Sequence, residues 1–194
     1  RLMPRTRTVL LVAMVAAIAG ASASLFLEPR IAQRLAGTAA GQRLLDAALK
    51  AKADPPPAGV IVGERGRIMP DMTVRDLDGR AVALPAAWAG RTTLVNVWAT
   101  WCAPCLKEMP ELQAFAHKQA SNGTQVVGIA LDDDTAVRAF LQAHAIGYPS
   151  LVDTPGPADA GVRLGNPAGV LPYSVLVAPD GSLLVTANKQ ALVD

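Results

Sequence analysis

Apolar and polar positions divide the chain into two unlike parts. From Thr8 to Leu27 no residue is charged, and Arg1, Arg5 and Arg7 stand in front of that run. A positive stretch followed by apolar residues predicts an export signal or a membrane anchor. Val9 to Leu27 is about long enough to span a bilayer, while Ala21-Ser22-Ala23 offers small residues for cleavage, so both forms stay open. Ile31, Leu35, Leu44, Leu45 and Leu49 recur with partial helical spacing over 30–53, interrupted by Gly37 and Gly41, which predicts a spacer helix. Asp54-Pro55-Pro56-Pro57 then reads as a stiff linker. These readings divide the chain into a leader at 1–28, a helical spacer and linker at 29–62, and a globular domain at 63–194.

The pattern changes after the linker. Residues 72–84 alternate apolar and polar around Asp78-Gly79, the mark of a β-hairpin. TTLVNVWA (92–99) and TQVVGIAL (124–131) are near-continuous apolar runs, as expected of strands buried on both faces. Between them a helix is predicted from Pro104 to about Ala120, with Pro110 inside it. Asp134 caps a second helix running to His144, with Val137, Phe140 and Leu141 on one face. YPSLVD (148–153) is a short strand, and Gly161 to Leu164 at most a helical turn. Residues 173–177 and 182–186 form a second hairpin across Pro179-Asp180-Gly181. The order predicts an α/β domain with a mixed sheet, parallel in part and covered by helices on both faces.

Composition narrows the partners. Hydrophobic residues make up 51% and charged residues 18% of the 194, enough apolar material for a core. Residues 1–54 carry eight Lys/Arg and three Asp/Glu, and 55–194 carry ten and thirteen, so the net charge of +2 splits into +5 and −3. The basic excess belongs to the leader and spacer, and no basic stripe interleaved with aromatics marks a nucleic-acid partner.

The chemistry lies in NVWATWCAPCLKEMPEL, residues 96–112, which holds both cysteines of the chain. Zinc would need two more ligands, and His117 and His144 lie far apart in sequence. Haem attachment would need His directly after Cys105, where Leu106 stands. As a staple, a ring so short removes little unfolded-chain entropy. A redox dithiol suits the placement. Cys102 falls at the start of a helix, where free N–H groups and the dipole favour a thiolate. Cys105 follows one turn later, and Pro104 costs the first turn nothing. Glu108 is three residues beyond Cys105 and shares its helix face, so it can accept a thiol proton or simply stabilise the helix start.

Trp101, Cys102, Pro104, Cys105, Glu108 and Pro110 together match W-C-x-P-C-x-x-E-x-P. The chain therefore resembles the TlpA/ResA-type thiol–disulfide oxidoreductases of the thioredoxin superfamily. The likeness covers about 65–187, taking in the hairpin at 72–84 and Val170-Leu171-Pro172 before a strand. It implies a thioredoxin-like fold with an N-terminal hairpin extension and membrane helix. It further implies that Cys102 is the exposed attacking thiol, Cys105 the buried resolving one, and Glu108 a catalytic proton acceptor. Pro172 would be cis and would lay the backbone of Leu171 open to a substrate strand, with Trp101 on the rim. The implied activity is reduction of disulfides in exported proteins, often for cytochrome c maturation, without cofactor or metal. Its electrons would come from a membrane thiol–disulfide donor, and the domain would lie in the periplasm, anchored to the bacterial inner membrane or released by cleavage. A thiol peroxidase and a non-catalytic thiol- or copper-binding module remain alternatives. The helix that closes such folds is expected to be missing or barely begun within 188–194.

Overall fold

The structure is a computed structural model describing residues 51–119 and 123–187, together with Gly41, Leu44, Ala47 and Ala48. The chain divides into two compact units, 1–47 and 48–194. In the first unit, Gly41, Leu44 and Ala47 are helical. The predicted anchor or signal at 8–27 and the expected start of a closing helix at 188–194 lie outside the described residues. No helix among the described residues is long and apolar enough to cross a membrane.

The second unit is built on one seven-stranded sheet. Its elements are β1 (Met72–Asp76), β2 (Ala81–Leu84), β3 (Thr93–Trp98), α1 (Ala103–Gln119), β4 (Gln125–Leu131), α2 (Asp134–Ala143), β5 (Ser150–Asp153), α3 (Ala160–Arg163), β6 (Tyr173–Val177) and β7 (Leu183–Ala187). The spatial order is β2-β1-β5-β4-β3-β6-β7. β3, β4 and β5 run parallel; β1 and β2 pair antiparallel on one side and β6 and β7 on the other. The predicted strands, hairpins and parallel centre are all found. The first hairpin turns where Asp76 Oδ1 accepts from the N–H groups of Asp78 and Arg80. Gly79 sits there at φ +80°, a conformation that suits glycine.

Local boundaries differ where side chains decide them. The first helix starts at Ala103 rather than Pro104. The N-cap of α2 is Asp133 rather than Asp134, because its carboxylate accepts from the N–H groups of Thr135 and Ala136. The strand expected from Tyr148 begins at Ser150.

Strand alternation splits the core into two layers. Val95 and Val97 of β3 join Ile129, Val175, Val177, Leu164 and Trp88 on one face. Leu94 and Trp98 join Met109 and Leu112 of α1, Val137 and Leu141 of α2, and both cysteines on the other. Asn96 lies between Leu94 and Trp98 in this alternation, so the second layer receives a polar side chain in its middle.

Candidate active site

The site forms where β3 ends. After Trp98 the chain makes a tight turn in which the Cys102 N–H donates to the Ala99 carbonyl at 3.1 Å. The Cys102 carbonyl then accepts from Leu106 N–H at 3.2 Å, the first hydrogen bond of α1. Its sulfur accepts from Cys105 N–H at 3.3 Å. Cys102 is thus the residue that caps the helix, and a negative charge on its sulfur would face unpaired N–H groups at a positive dipole end. The two cysteines are joined in a disulfide with Cα atoms 5.3 Å apart.

The expected exposure of Cys102 is not found in this disulfide form. Cys102 is 5% exposed and Cys105 fully buried. Bonded to Cys105 and accepting from its N–H, Cys102 lies in the layer formed with Trp98, Ala99 and Met109. The residue that does stand out is Trp101, at 68% exposure.

The turn before Cys102 is clamped from the neighbouring strand. Asp132, directly after β4, accepts from both the N–H and the hydroxyl of Thr100. Parallel pairing of Trp98 with Ala130 brings the two chain ends side by side. Burial pushes the Asp132 carboxyl up, but the hydrogen bonds from Thr100 and Asp133 outweigh it and leave it below the usual range.

Glu108 is 5% exposed, one helical turn beyond Cys105. Asn96 Nδ2 donates to its Oε1 at 2.7 Å. Burial pushes the Glu108 carboxyl above its usual range, and the charge of Glu111 adds to this, while the Asn96 bond opposes it. Tyr148, buried in the same layer, has its phenol pushed up by burial and by the Glu108 charge.

The other wall is the segment Asn166 to Pro172. The Leu171–Pro172 peptide is cis, as the resemblance implied, and so is Leu84–Pro85, which nothing in the sequence singled out. Leu171 packs against both core layers, including the one that holds the cysteines. Buried Asn166 donates to the Val170 carbonyl at 2.9 Å and accepts from Gly169 N–H at 3.0 Å through its own carbonyl, which holds the segment in shape. Val170 and Trp101 are exposed apolar residues of these two segments. Asn96, Tyr148 and Asn166 were not singled out from the sequence, and Asp132, which with Asp133 and Asp134 reads there as a solvated helix start, instead binds Thr100. Asn96 alone carried a signal, as a polar residue inside a run predicted to be buried.

The description of the AhpC/TSA family matches residues 65–185. ResA, a thiol–disulfide oxidoreductase of Bacillus thuringiensis subsp. konkukian, is 31% identical over 124 residues, 62% of this chain and 68% of that one. The chain belongs to the AhpC/TSA family, as a ResA/TlpA-type member of the thioredoxin superfamily. ResA of Bacillus subtilis strain 168 is 27% identical to this AhpC/TSA protein over 120 residues, 61% of this chain and 64% of the other. Among solved structures, a secreted thiol-disulfide isomerase from Corynebacterium glutamicum superposes with a TM-score of 0.56 at 24% identity. It covers 71% of this chain and 87% of its own. A thiol:disulfide interchange protein from a Bacteroides species gives 0.55 at 21%, covering 64% and 81%. Both likenesses bear on the fold, which is thioredoxin-like. With the cysteine pair at the head of α1, this AhpC/TSA protein is a thiol–disulfide oxidoreductase.

Proposed function

We propose that this oxidoreductase works in the reducing direction, on disulfides of exported proteins. The observation that carries the reading is a buried carboxyl, Glu108, one turn beyond a fully buried Cys105. A thiol shut away from water needs a local proton acceptor before it can attack. In the reduced dithiol, the Cys102 thiolate attacks one sulfur of a client disulfide. A Cys102–client bond forms, the client S–S bond breaks, and the first client thiolate leaves. Cys105 then gives its proton to Glu108 and attacks Cys102 Sγ. The internal disulfide forms and the second client thiolate is released. Two electrons have passed to the client, and the disulfide form is the spent state.

Exposed apolar residues flank the site, Trp101 next to Cys102 and Val170 next to the cis Leu171–Pro172 segment, and they suit an extended client strand better than a small molecule. Clients that must present a reduced Cys-x-x-Cys for haem attachment fit this chemistry, which supports a place in cytochrome c maturation. A membrane thiol–disulfide carrier would restore the dithiol. The domain would work on the periplasmic side of the inner membrane, held there by residues 9–27 or freed by cleavage after the small residues. Membrane fractionation of the expressed full chain separates those two forms.

The test is reduction of insulin and of an oxidised peptide bearing Cys-x-x-Cys-His. Cys102→Ser is expected to abolish turnover, and Cys105→Ser to accumulate a mixed disulfide on Cys102. A reduction potential for the couple below about −200 mV accords with a reductant, whereas one near about −120 mV would reverse the direction. Peroxide turnover outpacing disulfide reduction would favour the peroxidase alternative.

A further inference from the structure

β3, a strand buried along its whole length, carries a polar side chain in its middle. Asn96 is fully buried. An amide there is costly unless its hydrogen bonds are made. Its nitrogen is used: Nδ2 lies 2.7 Å from Glu108 Oε1 and 3.4 Å from Ser174 Oγ. Ser174 is its cross-strand partner in the β3–β6 register and is itself buried. Its oxygen is not used: Asn96 Oδ1 is buried with no hydrogen-bond partner among the described residues. A valine or leucine at this position would fill the space without that penalty.

We propose that Asn96 is the positioning residue for Glu108, holding its carboxyl on the Cys105 side and supplying a hydrogen bond to either protonation state. The inference rests on the reading that Glu108 receives the Cys105 proton. An ionised Glu108 only accepts, and the Asn96 amide N–H meets that need as found. A protonated Glu108 becomes a donor and needs an acceptor. The free Asn96 Oδ1 becomes that acceptor after a half-turn of the amide about its terminal torsion. Ser174 Oγ can donate or accept, so it can accompany either orientation.

The step balances. As Cys105 Sγ bonds to Cys102 Sγ, the bond from Cys102 to the client sulfur breaks and the client leaves as thiolate. The Cys105 proton moves to the Glu108 carboxylate, and Asn96 turns from donor to acceptor. Among the described residues, the titratable groups that act on Glu108 are Glu111 on its own helix and Tyr148 from the segment entering β5, with Cys105 one turn earlier on the helix. None of these is a cation. Asn96 is therefore the group that supports the ionised form, and losing it raises the pH at which Glu108 becomes a base.

The test uses the reduced protein and an aromatic disulfide that releases a coloured thiolate. The first equivalent reports attack by Cys102, and the second reports resolution by Cys105. In Asn96→Ala the second phase is expected to slow by about tenfold on the acid side, equivalent to about 1.4 kcal/mol, and to recover as pH rises. The first phase keeps its profile. If Asn96→Ala does not fold, Asn96→Asp preserves the shape. There two carboxyls must share a proton, and the acid limb again moves to higher pH. In a Glu108→Gln background, changes at Asn96 should no longer move the pH profile. Slowing that is uniform across pH would overturn the proposal. If Glu108→Gln shifts the profile and the Asn96 variants do not, the Asn96 inference alone fails. If Glu108→Gln leaves the profile unchanged, the reading of Glu108 fails first.

Discussion

Removing the Asp132 carboxylate should cost this fold more than an ordinary surface change. The side chain accepts from Thr100 N–H at 3.0 Å, from the Thr100 hydroxyl, and from Asp133 N–H at 2.8 Å. Asp133 is exposed, so water can replace that last bond. Thr100 is half-buried and sits in the turn between β3 and α1, outside any strand or helix that could take over its N–H. A hydrogen bond to a charged group is worth about 1.5–3 kcal/mol. Two such bonds to one half-buried residue, taken at the lower end and discounted for water's access to the site, predict about 2–3 kcal/mol lost in Asp132→Ala. Asp132→Asn keeps a carbonyl acceptor and the shape, and should lose about half as much. The carboxyl lies below its usual range in the fold. Its stabilisation is therefore present above the ordinary value of 3.8 and is lost as pH falls through the lowered one. Urea denaturation of the oxidised protein at several pH values is the assay, with the deficit of Asp132→Ala narrowing on acidification. A variant within about 0.5 kcal/mol of the parent at neutral pH would refute the clamp.

The remaining predictions concern the two core layers and the rim. Adding a Cβ at Gly128 places it 3.0 Å from Trp98 Nε1 and 3.2 Å from Tyr148 Cε2. Gly128→Ala should cost about 1–3 kcal/mol in thermal or chemical unfolding. Because burial raises the Glu108 carboxyl, its contribution to stability is present below the ordinary value of 4.5 and lost as pH rises through the folded one. Glu108→Gln should therefore gain stability relative to the parent between acid and neutral pH, and a constant gap would contradict this. Trp101→Ala, at a side chain 68% exposed, should change stability by less than about 0.5 kcal/mol. It should slow reduction of a protein disulfide more than that of a small disulfide probe.

Much of the fold was readable because its signals are local. The buried runs at 93–98 and 125–131, the hairpin over Asp78-Gly79 and the cysteines at a strand-to-helix junction each depend on residues within one element or the next. The boundaries that shifted, at Ala103, Asp133 and Ser150, depend on which side chain captures a particular N–H, and residue type alone does not separate Asp133 from Asp134.

The sequence by itself determined the two strand periods, the helix that carries Cys102 and Cys105, and the one-turn spacing from Cys105 to Glu108. These follow from side-chain alternation and from 3.6 residues per turn, which need no partner. Only the tertiary structure decided what surrounds them. Packing α1 on the Leu94–Trp98 face of β3 joins Asn96 to Glu108. Parallel pairing of β3 with β4 brings Asp132 to Thr100. Cys102, which the family resemblance implied to be exposed, is buried in the disulfide form. Each of these contacts depends on strand order and on the face a helix covers. Such choices are made by burial of the whole apolar surface, and no single stretch of sequence contains them.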